Sequence, residues 1–129
     1  MAKILGIGGV FFKARDPDAL RAWYRRVLDL AIDDWGGVFF TPDLAAAKPG
    51  AGTVWSAFKA DTTYFAPSTK DFMINFMVDD LAAMLARLAA EGVKGVKALP
   101  DEGNGLFAHL LDPEGNKIEL WEPKPMAAG

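Results

Sequence analysis

Cysteine is absent from the 129 residues, and histidine occurs once. The first absence excludes disulfides, thiolate nucleophiles and Cys-based zinc or iron–sulfur sites. The second leaves any imidazole chemistry to His109 alone. Positive charge of any density is also missing. The formal balance is −3 with a pI near 5.1, and Arg21, Arg25 and Arg26 read as the solvated face of one helix. Nucleic acid and anionic membrane are therefore poor partners. No apolar run reaches the roughly 20 residues that span a bilayer. The opening "MAKILGIGGVFF" lacks the layout of a signal peptide and continues into a patterned strand. A soluble, cytoplasmic protein is the expectation.

What is present is globular. Apolar residues make up 51% of the chain, enough for a real core in one domain spanning 1–129. The chain also resembles itself. Val10-Phe11-Phe12-Lys13-Ala14-Arg15-Asp16-Pro17 aligns at a constant offset with Ile74-Asn75-Phe76-Met77-Val78-Asp79-Asp80-Leu81. Each stretch is an alternating strand running into an acidic helix cap, with Asp16 and Asp80 as the caps. Leu20, Trp23, Tyr24, Val27 and Leu28 then follow one helical face. Leu81, Met84, Leu85 and Leu88 repeat that face, and Gly92 supplies a stop. Strand candidates follow near 30–34, 37–41 and 53–58, and again near 95–99, 105–111 and 116–121. Both halves read βαβββ, one over about 1–60 and the other over about 70–125. Residues 41–52 read as a loop. Residues 59–71 join the halves, with Tyr64 and Phe65 as possible lid residues.

"LLDPEGNKIELWEP" (110–123) fixes which side chains share a face. Asp112 to Asn116 fits a hairpin turn with Gly115 in the left-handed position. Pairing Asp112 with Asn116 sets Leu110 opposite Ile118 and His109 opposite Glu119. Cross-strand partners share a face. Ala108, Leu110, Ile118 and Leu120 should then pack under the helices. Phe107, His109, Glu119 and Trp121 should look the other way. Phe11, Lys13, Met73, Asn75 and Met77 join them by alternation, although Lys13 is expected to snorkel to solvent. Apolar walls with sparse polar groups are the usual makeup of a small-molecule pocket.

The duplicated unit and the element "DPEGNKIELWEP" resemble the vicinal oxygen chelate superfamily. That superfamily includes glyoxalase I, extradiol dioxygenases, fosfomycin-resistance enzymes and bleomycin-binding proteins. The resemblance implies an α+β fold: duplicated βαβββ modules forming a curled mixed sheet around a cavity, with helices outside. It also implies four metal-ligand positions, which fall here on Gly9, Met73, Glu119, and either Trp55 or Ser56. One usual ligand type remains, Glu119. Glycine has no side chain, and a thioether suits hard divalent metals poorly. Pairing two chains about a two-fold axis adds no second histidine to an off-axis site. No metal site and no cofactor are expected, a divalent metal being the alternative.

The leading expectation is metal-independent binding of a small apolar or aromatic molecule by a homodimer. The expected ligand-binding residues are Phe11, Trp55, Met73, Asn75, Met77, Phe107, His109, Glu119 and Trp121. His109 and Glu119 form the candidate catalytic pair. Two other readings stay open: a metal-dependent glyoxalase-type lyase or dioxygenase using that pair, and a metal-free acid/base isomerase or lyase.

Overall fold

The structure, a computed structural model, describes residues 2–125. It is α+β, with one mixed sheet that does not close and helices packed on one of its faces. Helix α1 runs Pro17–Leu28. The Asp16 carboxylate accepts from the Ala19 N–H at 3.1 Å, and Pro17 occupies a position where no N–H is needed. A short helix α2, Pro42–Ala46, lies inside the segment expected to be a loop. Strand β1 (Met73–Met77) leads into α3 (Leu81–Ala90), capped by Asp80 through the Ala83 N–H at 3.0 Å. Gly92 follows at φ 74, a conformation that costs glycine little and ends the helix.

Strands β2 (Lys97–Ala98), β3 (Leu106–Leu111) and β4 (Lys117–Glu122) complete a sheet ordered β1-β4-β3-β2. β1 runs parallel to β4, and the other pairs are antiparallel. The turn behaves as its residues predict. Asp112 N–H donates to the Asn116 carbonyl at 2.9 Å, and Gly115 sits at φ 81. The buried Asp112 carboxylate accepts from Glu114 N–H, Asn116 N–H, Asn116 Nδ2 and the Tyr24 hydroxyl, at 2.7 to 3.0 Å. Burial, with that hydrogen bond and charge, pushes the Tyr24 phenol well above its usual range. A buried carboxylate is tolerable only when so fully partnered.

One sheet face is the core. Ala108, Leu110, Ile118 and Leu120 are buried beneath Leu20, Tyr24, Val27 and Leu28 of α1 and Leu81 and Leu88 of α3. Each fully buried leucine, isoleucine or valine side chain contributes about 1.5–3 kcal/mol. Arg87 ties the helices together, donating to the Val27 and Arg26 carbonyls at the end of α1.

The first half departs from expectation. Its helix forms, but the segments near 10–14, 30–34, 37–41 and 53–58 are not hydrogen-bonded strands. A strand exists only against a partner, and among the described residues these segments find none. Gly6, Gly8, Gly9, Gly36, Gly37 and Gly52 further weaken extended pairing there. Their apolar side chains consequently stay exposed, among them Val10, Phe39, Phe40 and Val54, as do Ile4 and Leu5 just before them.

Candidate functional site

The second face of the sheet carries a polar row between apolar ones. Strand registers align Lys97, His109, Glu119 and Asn75 in one line across all four strands. On one side of this line lie Phe107, Trp121 and Met77, and on the other Leu111, Lys117 and Met73. Phe107 and Trp121 stack nearly parallel, their centroids 6.3 Å apart. The expected register is therefore the observed one, and His109 and Glu119 are cross-strand neighbours.

Glu119 is the centre. Its side chain sits between strands, and the residue is only 7% exposed. His109 Nε2 lies 2.7 Å from Oε2, the Tyr64 hydroxyl donates to Oε2 at 2.5 Å, and Asn75 Nδ2 donates to Oε1 at 2.9 Å. Burial alone would raise the Glu119 carboxyl. The hydrogen bonds from Tyr64, His109 and Asn75, with the neighbouring imidazole, outweigh it and hold the group below the usual carboxylate value. An ionised carboxylate only accepts, so His109 Nε2 carries the proton of their bond.

Residues 58–68 lie over this face as a strap. Phe58 stacks on Tyr64 at 5.7 Å and meets Phe65 at 5.1 Å, while Tyr64 stands edge-on to His109 at 5.3 Å. Ser68 Oγ donates to the Gly115 carbonyl. Lys117, 5% exposed, donates to the carbonyls of Tyr64 and Ala66, and its Nζ lies 5.1 Å from the Tyr64 ring centroid. Burial lowers the Lys117 pKa, Glu119 opposes that, and Lys97 adds to it. Burial and the bond to Glu119 also push the Tyr64 phenol well above its usual range.

Of the nine expected ligand-binding residues, seven share this face: Met73, Asn75, Met77, Phe107, His109, Glu119 and Trp121. Phe11 and Trp55 do not join them. Phe11 is 93% exposed beside Gly9, and Trp55 is 80% exposed in an apolar depression with Ile4, Leu5 and Ile7. Both belong to segments without a strand partner, so neither the alternation that placed Phe11 nor the family strand position that placed Trp55 has a sheet to act on. Lys13 is exposed, as expected. Lys117 escaped the sequence reading, although it has the same parity as Glu119 on β4. Tyr64 stood there only as a lid residue; its bond to Glu119 spans 55 positions and leaves no local signal.

A catalytic metal usually takes about three protein ligands and an open position. Among the described residues no group of three His, Cys, Asp or Glu side chains is placed to hold one. Gly9 has no donor, Met73 offers a thioether, and both Glu119 oxygens are already engaged. This donor set does not fit a transition ion.

A family model described as a glyoxalase-like domain matches residues 9–121. The chain belongs to that family, within the vicinal oxygen chelate superfamily. No curated protein matches this glyoxalase-like domain. Among solved structures it is similar to TnmS3, an antibiotic binding protein from Streptomyces sp. CB03234, with 33% identity over 40% of this chain and a TM-score of 0.37. The chain spans 44% of the length of that protein. It is also similar to a glyoxalase family protein from Bacillus anthracis, with 18% identity, 83% of this chain and 84% of that one covered, and a TM-score of 0.49. Among the described residues no helix is long and apolar enough to cross a membrane.

Proposed function

We propose that this glyoxalase-like domain binds a small, partly apolar or aromatic molecule on the sheet face opposite the helices, beside the 58–68 strap, without a metal. The observation that carries the reading is the row Lys97–His109–Glu119–Asn75 set between Phe107, Trp121, Met73 and Met77. A few polar anchors among apolar and aromatic walls are what orient a small ligand and desolvate it. The donor set around Glu119 supports a metal-free site. We place the chain in one cytoplasmic domain, in keeping with its lack of cysteine, whose two halves are modules repeated in sequence with the hydrogen-bonded strands in the second.

The Tyr64–Glu119–His109 group, within mutual reach of 2.5 to 3.4 Å, favours one second reading: metal-free acid/base chemistry. A general base works best with a pKa near the operating pH. Glu119 is held in the opposite direction, which suits an anchor better than a base. Binding therefore ranks first.

The homodimer belongs to the same proposal. Phe11, Phe39, Phe40, Val54 and Trp55 are large apolar side chains left exposed, the kind of surface that association covers. A second copy of the chain would cover it.

The test is amide and indole chemical-shift mapping of the metal-free protein against a panel of small aromatic compounds. Shifts should centre on the Trp121 indole and on β1, β3 and β4. Shifts confined to residues 2–58, or none with any compound, would refute the site.

A further inference from the structure

Tyr64 belongs to no strand, yet its phenol sits in a set of contacts made for a phenol. The hydroxyl points at an ionised carboxylate, 2.5 Å from Glu119 Oε2. One edge of the ring meets His109, one face lies against Phe58, and the Lys117 ammonium approaches the ring at 5.1 Å. The groups that receive it are more buried than the guest: Glu119 and Lys117 are 7% and 5% exposed, Tyr64 39%. A half-exposed guest on buried hosts can leave by side-chain rotation. Lys117 holds the strap by its backbone carbonyls, which such a rotation does not disturb.

We propose that this site selects phenols, and that Tyr64 occupies it as an internal stand-in which the ligand's phenolic ring displaces. This rests on the binding function proposed above and narrows its ligand class. The chemistry of the hosts sets the choice. Glu119 accepts only, so the ligand must donate there, and a carboxylate ligand would be repelled. Asn75 takes a position on Oε1 and His109 one on Oε2, so it is the second position on Oε2 that Tyr64 fills and would free on leaving. A phenol is a stronger donor than an aliphatic alcohol, and its ring reproduces the edge and cation contacts that an alcohol lacks. A tethered occupant competes with any free ligand, so apparent affinity falls by the fraction of time the site is open.

The experiment is calorimetric titration of wild type, Y64A and Y64F with p-cresol, the free equivalent of the tyrosine side chain, and with toluene, which lacks the hydroxyl. Y64A should bind p-cresol about ten-fold more tightly than wild type, with Y64F between them. Toluene should bind Y64A at least several-fold more weakly than p-cresol. Adding E119Q to Y64A should erase that difference. Should Y64A fail to fold, Y64F carries the comparison, since it keeps the ring and removes only the hydroxyl's contacts with Glu119 and His109. Equal p-cresol affinity in wild type and the variants, or toluene binding as well as p-cresol, overturns the phenol assignment. If toluene nonetheless binds the metal-free protein, the broader binding function stands without it. If neither compound binds any variant, both fall.

Discussion

His109 and Glu119 face each other across β3 and β4, Nε2 to Oε2 at 2.7 Å, each with little of its side chain exposed. A surface ion pair of this type contributes little. This one is sheltered, and its carboxylate takes two further donors, so its protonation is linked to folding.

That linkage has a sign. The folded chain binds a proton at Glu119 less readily than the unfolded chain. Stability from this group is full above the unfolded carboxyl value of about 4.3 and drains as pH falls through the lower folded value. Urea midpoints taken between about pH 6 and pH 3 should therefore fall more steeply for wild type than for E119Q. Parallel curves would show that Glu119 is not held ionised by the fold.

Tyr24→Phe should cost about 1.5–3 kcal/mol, the range for a hydrogen bond to a charged group. It removes one of the donors on buried Asp112 and leaves the ligand face untouched. Equilibrium denaturation reads the loss, and a change below about 0.5 kcal/mol would mean the bond is not made.

These two elements were open to sequence reasoning for the same reason. Asp112 to Asn116 is a turn whose geometry follows from its own residues, and one turn sets the parity of every side chain on β3 and β4. His109 opposite Glu119 follows from that register. Phe11, placed by alternation, and Trp55, placed by the family's last-strand position, fall away from the face because their segments have no ladder to join. Alternation shows how a strand would face, not whether a partner exists. Tyr64 reaches Glu119 through the path of a connection, which no periodicity encodes.

Gly105→Ala should destabilise the fold by about 2 kcal/mol, combining backbone strain with crowding. Gly105 has φ +120, and an added Cβ would fall 2.5 Å from Trp121 Nε1 and 2.9 Å from the Glu122 carbonyl. Trp121 would have to move, so its stacking on Phe107 and its fluorescence should change together with the denaturation midpoint. An unshifted midpoint would mean that Trp121 does not lie against this glycine.

Light scattering at micromolar concentration should give twice the 13.9 kDa chain mass. Replacing Phe39 and Phe40 with serine should shift the protein toward one chain per particle without unfolding β1–β4. A wild-type mass near 13.9 kDa across that range would remove the homodimer.

Metal independence is the centre of the account, and calorimetric titration before and after chelation tests it most directly. An aromatic ligand found by the panel is titrated into protein as purified, into the same protein dialysed against chelator, and into that protein resupplied with zinc, manganese or iron. The account predicts one ligand per chain with the same affinity in all three, because the anchors are Glu119, His109 and Asn75 themselves. Binding that disappears on chelation and returns with one equivalent of a single metal would contradict it.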